Sequence, residues 1–128
     1  MLGIVIDDSK AMRKILRKFL EDLEFSVLEA GNGREALEVI GSADSVPDLA
    51  LIDWNMPEMN GLEFVVEVRK KPEWRAMTLV MVTTESEHSQ IVRALASGAH
   101  EYVIKPFTKD GMIDKLALLG LVPVGVLS

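Results

Sequence analysis

Leu49-Ala50-Leu51-Ile52-Asp53-Trp54-Asn55-Met56-Pro57 starts as an unbroken apolar run, stops on a carboxylate and reaches a proline four residues later. An apolar run of this length with no polar alternation is what a strand covered on both faces of a parallel sheet requires. Pro57 biases Met56 away from helical geometry, so the chain cannot pass directly from Asp53 into a helix and a loop has to follow. The acid therefore stands at the carboxyl end of a buried strand.

The same pattern recurs on either side. Leu2 to Ile6 runs into Asp7 and Asp8, Leu79 to Val82 into Thr83, and Tyr102 to Ile104 into Lys105. If these runs are strands of one parallel sheet, their terminal polar side chains meet at its carboxyl edge, where open α/β sheets bind ligands. Three carboxylates beside a hydroxyl and an ammonium point to a divalent cation and a phosphoryl group.

Amphipathic stretches fill the intervals, which is βαβα architecture. Ser9 is placed to cap the first helix, in which Met12, Ile15, Leu16, Phe19, Leu20 and Leu23 recur at three- and four-residue spacing. Arg13, Lys14, Arg17 and Lys18 then form its solvated face. Ser26 to Ala30 reads as the second strand, Asn32-Gly33 as a turn, and Arg34 to Ile40 as a helix stopped by Gly41. The third helix, Gly61 to Lys70, is expected to share Leu62, Val65, Val66 and Arg69 on one buried face and to end at Lys71-Pro72. Glu87 to Ser97 forms the fourth helix, stopped by Gly98. Thr108 to about Leu119 forms the last, weakened by Gly111. The short fifth strand belongs at a sheet edge. Trp74 reads as a packed loop anchor, His88 and His100 as plain surface residues, and Met56 and Met59 as neighbours of the acid.

A chain of 128 residues, 48% hydrophobic and 27% charged, suits one soluble domain with a single buried core over 1–128. A net charge of −6 works against general affinity for nucleic acid or anionic membrane, so the expected partner is a protein. With no cysteine there is neither a disulfide nor a thiolate metal site. Charged residues recur too often for a membrane span, and the start lacks the order of a signal peptide, which makes the cytoplasm the expected compartment. Leu116 to Leu127 is nearly all apolar and is broken by Gly120, Pro123 and Gly125. It is shorter than the ~20 residues of a bilayer span, so the apolar tail, about 120–128, is expected to pack on the core or on another subunit.

An aspartate can act as a nucleophile toward phosphorus, and Asp53 is the candidate, with the loop behind it holding the carboxylate exposed. An anionic carboxylate must then approach an anionic phosphoryl group. Mg²⁺ removes that obstacle, because it takes oxygen ligands from one or two carboxylates, the substrate and water. Asp7 and Asp8 supply the acidic pair. Successive residues at a strand end point in different directions, so Asp8 is expected to reach the metal directly and Asp7 directly or through water. Lys105 can meet one phosphoryl oxygen as a point charge, and Thr83 another through its hydroxyl.

The strings Ile6-Asp7-Asp8-Ser9, Asp53-Trp54-Asn55-Met56-Pro57 with Gly61, Val82-Thr83-Thr84-Glu85 and Tyr102-Val103-Ile104-Lys105-Pro106-Phe107 closely resemble the CheY-like receiver domain of two-component response regulators. The resemblance covers the chain up to the last helix. It implies a flavodoxin-like (βα)5 fold, a doubly wound five-stranded parallel sheet in the order 2-1-3-4-5. It further implies phosphorylation of Asp53 by a sensor histidine kinase. The metal would be held by Asp7, Asp8, Asp53 and the backbone carbonyl of Asn55, phosphoryl contacts would come from Thr83 and Lys105, and Lys105-Pro106 would be cis. Tyr102 resembles the family's switch aromatic, which turns inward when the threonine moves toward the phosphate, and Glu85 a modulating position. With no output domain following, signalling is expected to pass by contact with a downstream protein target. The implied surface is the outer face of the fourth helix, fifth strand and fifth helix, with His88, Ile91, Tyr102, Ile104 and Lys115. Trp54, Asn55, Glu85 and Tyr102 resemble the chemotaxis type most, while Gly111, Leu118 and the apolar tail depart from the family's charge-rich last helix.

Three other functions compete. A phosphatase of the haloacid dehalogenase kind would carry a general acid two residues after the nucleophile, where this chain has Asn55, which cannot transfer a proton in that role. A flavodoxin-like cofactor binder would need a phosphate loop rich in Ser, Thr and Gly after the first strand, where acids stand instead. A receiver kept only as a scaffold would have no use for a complete set of acids, acceptor, threonine and lysine.

Overall fold

The computed structural model describes residues 1–84 and 88–121, with His88 described in its backbone alone. Among these residues five strands alternate with five helices: β1 (Leu2–Ile6), α1 (Lys10–Asp22), β2 (Ser26–Ala30), α2 (Gly33–Ser42), β3 (Leu49–Asp53), α3 (Gly61–Arg69), β4 (Thr78–Thr84), α4 (His88–Ser97), β5 (Glu101–Lys105) and α5 (Lys109–Leu118). All strand pairs are parallel, in the order β2-β1-β3-β4-β5. The winding reverses between β1 and β3, and a ligand crevice belongs at that point.

Strand residues alternate between two cores, which explains why the apolar runs are unbroken. Ile4, Ile6, Ala50, Ile52, Leu79 and Met81 pack with Ala36 and Ile40 of α2, Phe64, Val65 and Val68 of α3 and Ala94 of α4. Val5, Leu49, Leu51, Val80, Val82 and Val103 point the other way, onto Leu16, Phe19 and Leu20 of α1 and Met112, Ile113 and Leu116 of α5. Fully burying a side chain of this size is worth about 1.5–3 kcal/mol, so both layers hold the sheet. Leu121 joins the second core, and that is the part of the apolar tail's packing the structure describes; 122–128 lie outside the described residues.

Short polar residues start the helices as their side chains dictate. Ser9 accepts from the Met12 N–H at 3.2 Å, Asn32 from Glu35 at 2.8 Å, and Thr108 from Gly111 at 2.9 Å. Asn60 and Glu63 form a reciprocal capping box at 2.9 and 3.1 Å. Gly61 follows that cap because nothing larger fits. A Cβ there would stand 2.7 Å from the Asp53 carbonyl oxygen, while the Gly61 N–H donates to the Trp54 carbonyl at 2.9 Å. The loop 54–60 is thereby folded back onto the end of β3.

Several expectations need correction. Gly41 does not stop α2, which runs on to Ser42 with Ala43 as its C-cap. On α1, Ile15 is 56% exposed, while Arg13 and Arg17 lie partly buried against β2. On α3 the buried face is Phe64, Val65 and Val68, with Val66 turned outward and Arg69 partly buried. For α1 and α3, spacing marks a helix but does not set the angle at which the helix meets the sheet. Trp74, in a 3₁₀ turn at Pro72–Trp74, is the packed anchor expected, with the Lys71 ammonium 5.1 Å from its ring centroid. No described helix is long and apolar enough to cross a membrane.

Candidate functional site

Register brings the polar strand ends together. Ile6 is level with Ile52, so Asp7 and Asp53 follow side by side on neighbouring strands, and Asp53 is level with Val82 of β4. Val5, Leu51 and Val103 all face the α1 and α5 side. Two residues on, Asp7, Asp53 and Lys105 share that parity. Lys105 reaches back across β4 with its long stem. Its Nζ lies 3.2 Å from Asp53 Oδ1 and 3.4 Å from Asp7 Oδ2.

Asp7, Asp8 and Asp53 each present a carboxylate oxygen within 4.8 Å of the others. Asp7 is 1% exposed and Asp53 9%, whereas Asp8 is exposed. The expectation of an exposed Asp53 is therefore corrected. Loop 54–60 folds back over the end of β3 through Gly61, and about a tenth of the Asp53 side-chain surface is open. Burial pulls the Lys105 ammonium down, but Asp53 and Asp7 outweigh it and hold its pKa above the ordinary value. Lys105 stays charged at neutral pH, yet one ammonium among three carboxylates leaves the cluster anionic. That surplus fits a hard dication with oxygen ligands.

The other implied residues fall as follows. Thr83 is 1% exposed while its neighbour Thr84 is exposed, so Thr83 is the threonine that faces inward. Asn55 lies exposed in the loop after Asp53. Lys105-Pro106 is cis. Met56 and Met59 pack against the core on the α2 to α4 side, and the Met59 carbonyl accepts from Gly33 at 3.2 Å. Glu85 and the His88 side chain lie outside the described residues.

Among the described residues expected on the outer face of α4, β5 and α5, one is out of place. Tyr102, Ile104 and Lys115 line a groove of about 410 Å³ with Pro106, Phe107 and Thr108. Lys115 Nζ sits 4.9 Å from the Tyr102 ring centroid and 3.2 Å from Glu101 Oε1. Ile91 is the exception. It is 2% exposed because α4 turns Ile91 and Ala94 inward, and Val92, 67% exposed, is the large apolar residue presented among this helix's described side chains. His100 lies at the surface as expected, and its Nδ1 also accepts from the Leu79 N–H at 3.0 Å.

Residues missed altogether include Arg13, whose Nη1 donates to the Asp7 carbonyl at 2.6 Å. Only a nearby acid with no other evident task, Glu29, could have signalled it. Arg13 Nε lies 3.3 Å from one Glu29 oxygen and Arg17 Nη1 2.6 Å from the other. Arg17, ahead of Arg13, holds the Glu29 carboxyl below its usual range.

Known proteins are similar in sequence and in fold. A 114-residue stretch is 42% identical to the chemotaxis protein CheY homolog of Campylobacter jejuni, covering 88% of this chain and 87% of that protein. A 107-residue stretch, 84% of this chain, is 40% identical to 13% of the sensor histidine kinase CheAY of Helicobacter pylori. Among solved structures, the chemotaxis protein CheY4 of Vibrio cholerae superposes with a TM-score of 0.82 at 32% identity, covering 91% of this chain and 96% of that one. The sequence model described as the response regulator receiver domain matches residues 4–117, which takes in every polar strand end discussed above and both cores apart from Leu121, and the chain belongs to that family.

Proposed function

We propose that this domain (1–128) is a cytoplasmic phosphoacceptor switch in which Asp53 takes a phosphoryl group from a sensor histidine kinase and the modified form changes its affinity for a protein target, in the manner of chemotaxis signalling. The observation that carries the reading is the contact of Lys105 with both Asp53 and Asp7, at 3.2 and 3.4 Å, inside a cluster of three carboxylates. The kinase is supported by the match to a segment of CheAY.

An Asp53 oxygen attacks phosphorus, an O–P bond forms, and the P–N bond to the donor histidine breaks with its electron pair leaving on the imidazole. Bound Mg²⁺, held by Asp7, Asp8, Asp53 and the Asn55 carbonyl, would supply the positive charge that lets two anions meet. Lys105 and Thr83 contact phosphoryl oxygens, Lys105 as a fixed cation and Thr83 as a hydroxyl donor. Since Asn55 offers no general acid and only a tenth of Asp53 is open, hydrolysis is slow and the domain behaves as a switch that promotes its own phosphorylation. Movement of Thr83 toward the phosphate draws the Tyr102 ring inward, which alters the α4, β5 and α5 face beside Ile104 and Lys115.

Intact mass after incubation with acetyl phosphate tests the chemistry. One phosphoryl adduct is expected that requires both Mg²⁺ and Asp53. Undiminished labelling of Asp53→Asn would overturn the assignment.

A further inference from the structure

Asp7 is held at every polar atom it has. Its N–H donates to the Ala30 carbonyl at 3.1 Å, Oδ1 accepts from the Ser9 N–H at 2.8 Å, Oδ2 faces Lys105 at 3.4 Å, and its carbonyl accepts from Arg13 at 2.6 Å. Asp8 is the opposite case. It is exposed, and among the described residues no hydrogen bond or ion pair fixes its carboxylate. Its aim must come from the backbone that precedes it. A peptide unit is planar, so holding the Asp7 carbonyl also holds the Asp8 nitrogen and limits where the Asp8 Cα–Cβ bond can point.

We propose that Arg13 is a positioning residue for the metal site, gripping the Asp7 carbonyl so that the Asp8 carboxylate is presented to the ion. This rests on reading the acid cluster as a Mg²⁺ site. Arg13 suits the task because it is itself braced. Its side chain is 19% exposed, and Glu29 fixes it at 3.3 Å while also being fixed by Arg17 at 2.6 Å. Glu29 further offsets the guanidinium charge, so the clamp supplies a donor without leaving a bare cation beside the ligands. The bracing chain thus runs from β2 through Glu29 and Arg13 to the end of β1.

Calorimetric titration with MgCl₂ on the full chain separates this from its alternatives, because the electrostatic and positioning effects have opposite signs. Removing a cation near a metal site strengthens Mg²⁺ binding, whereas removing a brace weakens it. Arg13→Met is expected to weaken binding about tenfold, the scale on which groups supporting metal ligands act. Arg13→Gln, too short to reach, should match it and replaces it if the Met variant does not fold. Arg13→Lys, which keeps a donor, should recover part of the affinity. Arg17→Met removes the same charge without touching Asp7 and should stay within about twofold of native, since its only route to the site is through Glu29. Native or tighter binding by Arg13→Met and Arg13→Gln would overturn the clamp. Failure of the native protein to bind Mg²⁺, or undiminished binding by Asp8→Asn, would overturn the metal-site reading instead.

Discussion

At the carboxyl edge of the sheet one lysine serves two of three clustered carboxylates, whereas at the amino edge one arginine is divided among three backbone carbonyls. Arg69 donates to Gly98 at 3.0 and 2.9 Å, to Arg75 at 3.2 Å and to Met77 at 3.2 Å, and its Nη2 also lies 3.3 Å from His100 Nδ1. The His100 N–H returns to the Leu79 carbonyl at 2.8 Å. Gly98 belongs to the same knot: its φ of +124° suits glycine, and a Cβ there would stand 2.7 Å from the Arg69 stem. Here polar groups are matched to polar groups and nothing is left over for a ligand. At the carboxyl edge the mismatch in charge is itself the binding capacity. Functional sites keep such local imbalance and the rest of the fold supports it.

The largest expected effect lies at the closed edge. Arg69→Met orphans the Gly98, Arg75 and Met77 carbonyls and should cost about 3 kcal/mol, since hydrogen bonds to charged groups contribute roughly 1.5–3 kcal/mol each when partly buried. Urea unfolding measures the loss, and Mg²⁺ affinity should be untouched. An equal loss of affinity would show that the two edges are coupled and break the comparison.

A smaller effect with a change of sign is expected at the open edge. Asp8 sits within 4.8 Å of two like charges and has no stabilising partner among the described residues, so Asp8→Asn should raise metal-free stability by about 1 kcal/mol at low salt. In millimolar Mg²⁺ the order should reverse, because the native protein gains binding energy that the variant lacks. Thermal melts with and without Mg²⁺ test this, and a variant less stable under both conditions would mean that Asp8 is structural.

The smallest effect sharpens the role of His100. Burial, and then the neighbouring Arg69 charge, lower its pKa below the ordinary 6.5. The folded state therefore prefers neutral imidazole, whose Nδ1 accepts from Leu79. This contribution is complete above pH 6.5 and is lost as pH falls through the lower, folded-state value. Stability measured downward from pH 7 should decline less in His100→Asn, whose amide oxygen accepts without titrating. An identical pH slope in the two proteins would remove His100 from the knot.

How much of this was legible in the sequence differs by residue. Asp7, Asp8, Asp53, Thr83 and Lys105 could be placed because each ends an apolar run, and strand register carries such ends to one edge. Ser9 could be placed because a hydroxyl before a helix has one dominant use. The helix faces were less legible. Ile15 and Ile91 both satisfy helical spacing, yet one is 56% exposed and the other 2%, because spacing defines a stripe and packing decides how far around it the sheet reaches. Arg13 and His100 read as surface residues and Arg69 as part of a buried helix face, but none of the three shows its backbone partners, because backbone atoms carry no residue-specific signature.

By itself, then, the sequence determined five strands, the polar ends of four of them, and the chemistry available where they meet, because short apolar runs and terminal polar residues are local signals. The tertiary structure alone decided which side of each helix is buried, how deep Asp53 lies, and which cations turn inward to hold backbone carbonyls. Those outcomes depend on the rotation of helices against the sheet and on contacts between residues far apart in the chain, such as Arg69 with Gly98 and Lys105 with Asp7.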